Sequence, residues 1–280
     1  MKSVFGPAVA ALALLPFAAL ADGHQDVREF VTEALTETLA NGNAEAVPQY
    51  FAPEYIQHNP DVPNGAAALQ GLIEQLHSSG GFEAEFFRIL ADDDMVALHG
   101  RYVGFGPTPM IAFDVFRVED GLIVEHWDNL ILEAPLNPSG RSQIDGATEI
   151  TDLELTEENR ALVVDFITRS LINGEEVDIT QYISPVTYIQ HNPDVADGLE
   201  GFGAFMGALA EQGITMQYSE IHEVVAEGNF VLTMSEGSFG DEAQAFYDLF
   251  RIEDGLIVEH WDVISPMPGP DAPYNEAGKF

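Results

Sequence analysis

The sequence predicts an α+β protein built from two tandem copies of one unit, each with N-terminal helices packed on a curved antiparallel sheet. Three observations predict this. The stretch at 114–128 recurs almost unchanged at 248–262, and the segment at 55–62 has an identical twin at 188–195. In both halves, helical apolar patterns precede a series of runs rich in β-branched and aromatic residues. The whole unit is therefore duplicated.

The N-terminus predicts a secretory signal peptide at 1–21. One lysine precedes an apolar run, and Ala19-Leu20-Ala21 forms an A-x-A cleavage site before Asp22. The run is shorter than the roughly 20 residues that a membrane-spanning helix needs. We therefore expect a soluble protein, in the periplasm or secreted, with no membrane partner.

Charge and cysteine content narrow the possible partners. The chain has 47 acidic and 10 basic residues, a formal net charge of -37, and no cysteine. Such a negative field repels nucleic acid and anionic lipid, which excludes both as partners. The acidic residues are scattered and form no D-x-D-x-D-G calcium loop, so a solvated surface suited to a saline habitat is favoured over a cation-binding protein. Without disulfides, each domain depends on its own core for stability.

The elements follow the same order in both halves. Helical periodicity predicts helices at 28–39 and 66–77, and again at 160–172 and 199–212. A short extended segment ending in an Asn-Pro turn lies between the two helices of each half. The predicted strands are 83–90, 95–103 and 111–118 in the first half, and 215–225, 229–236 and 244–252 in the second.

Composition also predicts the domain boundaries. We expect a first domain at 22–136, a linker at 137–151 and a second domain at 152–265. The Pro-rich tail at 266–280 has no periodicity and is expected to lie extended along the surface.

Each recurring stretch predicts a β-hairpin, because two β-rich runs flank an Asp-Gly dipeptide. We expect a three-residue loop at 119–121 with a glycine bulge, so that Val118 pairs with Leu122. The same register places Asp114 opposite His126, an acid beside an imidazole on a concave and otherwise apolar face. A two-residue loop is the alternative, but it flips one strand relative to the other and leaves no face free of a long charged side chain.

The outer face of each hairpin is too apolar to be left in water. We therefore predict that the two sheets pack on each other as an intramolecular pseudo-dimer; a homo-oligomer remains possible. The expected outer-face residues are Phe113, Val115, Ile123 and Trp127 in the first copy, and Tyr247, Leu249, Ile257 and Trp261 in the second.

Taken together, the Tyr-Ile-Gln-His-Asn-Pro segment, the Phe-Arg-x-Glu-Asp-Gly-x-Ile-Val-Glu-His-Trp-Asp hairpin and the order of elements resemble the SnoaL-like polyketide cyclases of the nuclear transport factor 2-like fold. They are most similar to the branch described as predicted aldol-condensation-catalysing enzymes. The resemblance covers nearly all of 26–264. It implies two cone-shaped domains, each enclosing a pocket, with catalysis by a carboxylic acid and with no metal or other cofactor.

Enolate chemistry of this type needs a base and hydrogen-bond donors for the enolate oxygen. Asp114 is the predicted acid/base and His126 its partner, because burial raises the pKa of an aspartate and a neighbouring imidazole can donate a hydrogen bond. Asp248 and His260 take these places in the second copy. An Asp-His pair that only satisfies itself within the core is the alternative.

Other polar residues are expected near the same pockets. His99 matches the strand histidine of the family, whereas the aligned residue of the second copy is Thr233, so we expect the first pocket to be the better equipped. The remaining predicted catalytic residues are His58 and His191, and the predicted ligand-binding residues are Gln57, Asn59, Phe116, Asn192 and Phe250.

A metal site is the main competing interpretation, with His58, His99, His126 and Asp128 as its ligands. The sequence has no compact metal-binding motif, so we predict no metal. The function that we expect is cofactor-free acid/base chemistry on a small carbonyl compound, such as aldol-type cyclisation or isomerisation. A non-catalytic module for ligand binding or dimerisation is the alternative.

Overall fold

The computed structural model describes residues 18–78, 80–274 and 276–280, with side chains from residue 27 onward. The predicted signal peptide falls mostly outside these residues and stays a prediction. Within the described ranges, no helix is both long and apolar enough to cross a membrane.

Each half combines helices with a five-stranded sheet, which confirms the predicted α+β class. The first half contains α1 (Ala18–Leu35), α2 (Val47–Tyr50), β1 (Phe51–Gln57), α3 (Ala66–Ser78), β2 (Glu83–Asp92), β3 (Met95–Val103), β4 (Met110–Glu119) and β5 (Leu122–Leu132). The second half contains α4 (Thr156–Phe166), β6 (Ile189–Gln190), α5 (Gly198–Glu211), β7 (Met216–Glu227), β8 (Phe230–Phe239), β9 (Glu242–Glu253) and β10 (Leu256–Pro266). Helices α1 and α4 continue as π-helical turns at Thr36–Ala40 and Ile167–Ile172.

The strand order is the same in both sheets. It is β1-β5-β4-β3-β2 in the first half and β6-β10-β9-β8-β7 in the second. The short segment before the Asn-Pro turn pairs parallel to the last strand of its own half, whereas the other strands pair antiparallel. This pairing places Gln57 beside His126 and Gln190 beside His260. The twin segments therefore contribute side chains directly to the hairpins.

The hairpin loop has two residues, not the three that we predicted. Asp120 and Gly121 have φ values of 50° and 76°, and Glu119 pairs with Leu122. Two consecutive positive φ values define a type I′ turn, whose twist matches that of the flanking strands. The second hairpin repeats this geometry at Asp254 and Gly255.

The extra residue lies within strand β5, where the register shifts and leaves Val124 without a partner. Beyond this bulge Phe116 is opposite His126, and Asp114 is opposite Asp128. The predicted pairing of Asp114 with His126 is therefore wrong by two residues. Because a shift of two preserves the alternation of faces, these four side chains still share one face, as predicted.

The two sheets pack against each other through one apolar core shared by both halves. Trp261 is 1% exposed in this core. Ile123 and Ile257 do not lie on the outer face, where we predicted them. Each precedes the bulge in its strand, and its side chain packs in the core between the sheet and the helices. The predicted residues that do reach the shared core are Phe113, Val115, Trp127, Tyr247, Leu249 and Trp261.

The linker and the C-terminal tail pack on equivalent faces of the two halves. Arg88 donates to the linker carbonyls of Asp145 and Ala147 at 2.6 and 2.7 Å. Lys279 donates to the carbonyl of Asp128 at 2.7 Å, and Phe280 stacks on His222 at 4.1 Å. The end of the tail is therefore partly buried, which corrects the expected surface course.

Candidate functional site

Each half encloses a cavity between its helices and its sheet. The empty space, part of which is open to solvent, is about 620 Å³ in the first cavity and about 520 Å³ in the second. An apolar pocket with a few convergent polar groups is typical of a small-molecule site. The polar residues lining the first cavity include Tyr55, Gln57, Tyr102, Asp114, His126 and Asp128.

The predicted acid and imidazole meet in the first cavity. His126 Nε2 lies 3.1 Å from Asp114 Oδ1, and both side chains are buried. Phe116 stacks on the imidazole with the ring centroids 4.3 Å apart. The pair is thus diagonal across two strands, with an aromatic ring covering one side of the histidine.

The neighbouring amide fixes the protonation pattern of His126. The other ring nitrogen, Nδ1, lies 3.0 Å from Gln57 Oε1, and the Gln57 amide nitrogen donates to Tyr55. Since Gln57 Oε1 can only accept, Nδ1 must carry a hydrogen. Nε2 and Asp114 Oδ1 therefore share the remaining proton, either as a neutral pair or as an imidazolium with a carboxylate.

Both oxygens of Asp114 have a hydrogen-bond partner. Tyr102 donates from its hydroxyl to Asp114 Oδ2 at 2.7 Å, while Oδ1 faces the imidazole. Burial, together with the charge of Asp114, raises the pKa of Tyr102 well above its ordinary value, so the hydroxyl stays a donor. Asp114 lines the cavity and can share a proton with His126, but each of its oxygens already has a hydrogen-bond partner.

Asp128 does present a free oxygen. Asn59 donates to Asp128 Oδ2 at 2.7 Å, whereas Oδ1 is buried and has no partner among the described residues. Burial raises the pKa of this carboxyl, and the charges of His126 and Lys279 and the Asn59 hydrogen bond offset part of that effect. A carboxylate with a raised pKa and an unpartnered oxygen has the properties of a general base.

Tyr55 provides a donor in the same cavity. Its hydroxyl accepts from the Gln57 amide at 3.3 Å, and in the part of the chain that the structure describes no group accepts its proton. Burial, followed by the charges of Asp128 and Asp114, raises the pKa of Tyr55 well above its ordinary value. This hydroxyl can therefore donate to an oxygen atom of a bound ligand.

The second cavity repeats the acid and imidazole. His260 Nε2 lies 3.0 Å from Asp248 Oδ1, its Nδ1 lies 3.0 Å from Gln190 Oε1, and Tyr218 donates to Asp248 Oδ2 at 3.0 Å. Burial disfavours the charged ring of His260, but the hydrogen bond to Asp248 and the nearby carboxylate charges outweigh it and raise its pKa. Phe250 stacks on the imidazole at 4.8 Å.

The second cavity also contains a counterpart of Asp128. Asn192 donates to Asp262 Oδ2 at 2.7 Å. Burial, reinforced by the charge of Asp248, raises the pKa of Asp262 to about 6. Tyr188 accepts from the Gln190 amide at 3.2 Å, as Tyr55 does from Gln57. The two cavities therefore carry the same polar groups in the same connectivity.

These groups also define where a cation could bind. The donor atoms of Asp114, His126 and Asp128 all lie within 4.8 Å of one another, as do those of the second cavity. Asp114 and His126 already satisfy each other, which leaves Asp128 Oδ1 as the one uncommitted oxygen of the first set. The metal set considered from sequence is not assembled, because His58 and His99 lie outside the cavity.

The profile of the SnoaL-like domain matches the chain twice, at 27–126 and at 163–260. The chain belongs to the SnoaL-like domain family. Each SnoaL-like domain contains one of the two cavities, so the repeated polar groups belong to repeated domains. No curated protein sequence matches the chain.

Solved structures resemble single SnoaL-like domains of this chain. A candidate polyketide cyclase from Acidithiobacillus ferrooxidans is 20% identical, covers 37% of this chain and 87% of its own, and has a TM-score of 0.33. An LEH-like epoxide hydrolase from M. tuberculosis is 23% identical, covers 39% of this chain and 84% of its own, and has a TM-score of 0.33. A candidate ketosteroid isomerase from Kribbella flavida is 19% identical, covers 45% of this chain and 92% of its own, and has a TM-score of 0.35.

Two predicted catalytic histidines lie outside the cavities of the SnoaL-like domains. His58 stacks on Trp127 at 4.9 Å, and its ring nitrogens face Glu125 Oε1 at 2.9 Å and the Gly278 carbonyl at 3.0 Å. His191 stacks on Trp261 in the same way. In the twin segments, Gln and Asn point to the cavity side while the histidine between them points away. The expectation that these histidines line the cavity mouth is wrong.

His99 also lies outside the cavity. Arg88 Nη1 lies 3.0 Å from its Nδ1, and Phe113 stacks on the ring at 4.4 Å. Burial and then the Arg88 charge lower the pKa of His99 well below its ordinary value, so the ring is neutral. The ring packs against Arg88 and Phe113 and does not line the cavity, so its position does not agree with the predicted catalytic role.

The predicted equivalence of His99 and Thr233, which favoured the first domain, is shifted by one residue. His99 pairs with Phe113, and the equivalent ladder position in the second domain pairs Met234 with Tyr247. Met234, rather than Thr233, therefore corresponds to His99. Since neither residue lines a cavity, the difference does not make one pocket better equipped than the other.

Three kinds of site residue were not predicted from the sequence. Asp128 was placed on the correct face but was considered only as a metal ligand. Tyr55, two residues before Gln57, and its twin Tyr188 point to the same face as that glutamine because of strand alternation. The third kind, Tyr102 and Tyr218, occupies different strands in the two halves, so no repeated sequence pattern could identify it.

Proposed function

We propose that each SnoaL-like domain is an acid/base catalyst that removes a proton from the carbon next to the carbonyl group of a small apolar compound. The observation that carries this proposal is the unpartnered, buried Oδ1 of Asp128 at the polar end of an apolar cavity. The distant solved structures contribute the fold alone. The chemistry therefore rests on the cavities of this chain.

The proposed reaction assigns one role to each group. Asp128 Oδ1 takes the proton, the electrons of the carbon-hydrogen bond move to the carbonyl oxygen, and the Tyr55 hydroxyl donates a hydrogen bond to that oxygen. Return of the proton to another carbon gives an isomer, whereas attack of the enolate on a second carbonyl gives an aldol-type product. Asp114, which the sequence analysis named as the base, instead shares its proton with His126 and keeps that ring in place.

The environment supports a carboxylate base at neutral pH. A base is most effective when its pKa lies close to the working pH, and the pKa of Asp262 is raised to about 6. The lining of the cavity is mostly apolar, and such surroundings strengthen the hydrogen bond from Tyr55 to a developing negative charge. Residues 1–21 support the further proposal that the protein acts after export.

Deuterium exchange tests this function before the substrate is known. The protein is incubated in deuterium oxide with a panel of small ketones and esters, and mass spectrometry records deuterium next to the carbonyl. We expect exchange with the unmodified protein, and a loss of about 10²-fold or more when Asp128→Asn is combined with Asp262→Asn. Glu54→Gln combined with Glu158→Gln, at two exposed positions, is the matched control. Tight binding of a panel member without any exchange would instead identify a binding module.

A further inference from the structure

The side-chain amide of Gln57 connects three parts of the first cavity. Its Oε1 accepts from the backbone N–H of Asn59 at 2.9 Å and faces His126 Nδ1 at 3.0 Å. Its Nε2 donates to the hydroxyl of Tyr55 at 3.3 Å. The amide cannot be turned over, because a flipped group would direct its own N–H bonds at the N–H of Asn59. The backbone of the Asn-Pro turn therefore fixes which end of the amide faces Tyr55.

This orientation determines what the Tyr55 hydroxyl offers to a ligand. The oxygen accepts from Gln57, so the hydroxyl hydrogen is left for another acceptor, and the described residues supply none. A hydroxyl that accepts a hydrogen bond also becomes a better donor. Burial has the largest effect on the pKa of Tyr55 and raises it, whereas the hydrogen bond from Gln57 lowers it. Gln57 therefore both aims and strengthens the donor that faces the cavity.

The second cavity has the same arrangement. Gln190 Oε1 accepts from the backbone N–H groups of His191 and Asn192, at 3.0 and 3.1 Å, and faces His260 Nδ1 at 3.0 Å. Gln190 Nε2 donates to the hydroxyl of Tyr188 at 3.2 Å. Backbone N–H groups thus fix the amide in both domains, and each amide leaves a tyrosine hydrogen free for a ligand.

We propose that Gln57 and Gln190 are positioning residues that make each cavity specific for a ligand oxygen able to accept a hydrogen bond, as the oxygen of a ketone or an ester does. Each glutamine acts through its tyrosine, because a hydroxyl that accepts from the glutamine keeps its hydrogen for the ligand. This inference rests on the proposed function for the choice of a carbonyl ligand, but it requires no step of catalysis.

Exchange of the glutamine for glutamate reverses the contact with the tyrosine. Glutamate retains an oxygen for Asn59 and His126, but its second oxygen accepts from Tyr55 and turns the hydroxyl hydrogen away from the ligand. Leucine removes both amide atoms and leaves the Tyr55 hydrogen free. A purely structural role therefore predicts greater damage from leucine, whereas the proposed role predicts a greater loss of ketone binding from glutamate.

Calorimetric titration with benzylacetone and with the alcohol formed by its reduction tests this difference. The alcohol donates as well as accepts, so the ratio of the two affinities cancels general damage to the cavity. At pH 8, where a glutamate is ionised, Gln57→Glu combined with Gln190→Glu should lower the ketone-to-alcohol ratio by about threefold to tenfold. Gln57→Leu combined with Gln190→Leu should change the ratio less. Gln75→Glu with Gln212→Glu, at exposed positions, controls for the added charge.

Nuclear magnetic resonance of the unmodified protein, with nitrogen-15 in its glutamines, avoids dependence on the folding of these variants. Benzylacetone should move the side-chain amide protons of Gln57 and Gln190 downfield, because a tyrosine that donates to the ketone accepts more strongly from its glutamine. Butylbenzene, which lacks the carbonyl oxygen, should not.

An unchanged affinity ratio in the glutamate variants, or amide protons that respond equally to benzylacetone and butylbenzene, would overturn the inference. A lowered ratio without deuterium incorporation into benzylacetone would contradict the proposed function and leave the inference intact. Deuterium incorporation with an unchanged ratio would do the reverse, so the two failures are distinguishable.

Discussion

Tyr102 and Tyr218 donate to equivalent aspartates from different strands. Tyr102 belongs to β3 and pairs with Ala84 of β2, whereas Tyr218 belongs to β7 and pairs with Gly237 of β8. These are the same ladder position in the two sheets, with the tyrosine and the small residue exchanged. Each hydroxyl nevertheless reaches Oδ2 of the aspartate, at 2.7 Å and 3.0 Å. The hydrogen bond is the same in both domains although the strand that supplies it is not.

The first prediction follows from this exchange. In a protein whose second pocket is disabled by Asp262→Asn, Tyr102→Phe should slow deuterium exchange about fivefold to tenfold, because Asp114 loses a buried donor. Moving the tyrosine across the ladder, with Ala84→Tyr and Tyr102→Gly, should restore the rate. If the transferred tyrosine leaves the rate as low as Tyr102→Phe does, the hydroxyl is not what the site requires.

The second prediction concerns stability against pH. Folding raises the pKa of Asp262 from 3.8 to about 6. The contribution of this carboxyl to stability is therefore fully present below pH 3.8 and is lost as the pH rises to about 6. Asp262→Asn cannot ionise, so above pH 6 it should be more stable than the unmodified protein by up to about 3 kcal/mol. Thermal unfolding at pH 4 and pH 8 measures this, with Glu158→Gln as control. A gain that is equal at both pH values would contradict the raised pKa.

The third prediction concerns the core between the domains. Trp261 packs in that core, stacks on His191, lies beneath the Arg88 guanidinium at 4.1 Å and donates to the Asp145 carbonyl at 3.0 Å. Trp261→Ala should lower the free energy of unfolding by about 3 to 5 kcal/mol. Chemical denaturation measures the loss, and Val186→Ala, at a position 91% exposed, is the control. Unchanged unfolding would show that the two sheets do not depend on this core.

The fourth prediction concerns the C-terminal tail. The positive charge of Lys279 favours the ionised form of Asp128, so Lys279→Met should raise the pKa of that carboxyl further. In the Asp262→Asn background, the pH dependence of deuterium exchange should move to higher pH. Lys279→Arg preserves the charge and should leave the profile in place. Identical profiles for the methionine and arginine variants would exclude an electrostatic role for the tail.

The fold was predictable because its signals repeat within the chain. Two copies of each helical pattern and of the hairpin fixed the duplicated unit, and alternation placed Asp114 and His126 on one face. The sequence did not reveal the bulge at Val124, because an Asp-Gly turn accepts either loop length. A two-residue loop followed by this bulge leaves Asp114 and His126 on the same face, as a three-residue loop would.

The site was less predictable because its members come from separate elements. His58 lies between two residues that face the cavity, but a turn begins there and the alternation of the strand ends, so its ring points to Trp127. His99 alternates correctly along β3 and for that reason faces away from the cavity. Tyr102 was missed because the repeat does not preserve its position. Repeated motifs identified which segments approach the site, whereas strand geometry decided which of their side chains enter it.

The proposed base is Asp128 rather than Asp114, and one comparison distinguishes the two carboxyls. With the second pocket disabled by Asp262→Asn, the rates of deuterium exchange are measured for Asp128→Asn and for Asp114→Asn on the same ketone. We expect that Asp128→Asn abolishes exchange, whereas Asp114→Asn retains a reduced rate because the Asp114 oxygens contact Tyr102 and His126. Full activity in Asp128→Asn, with none in Asp114→Asn, would show that Asp114 is the base.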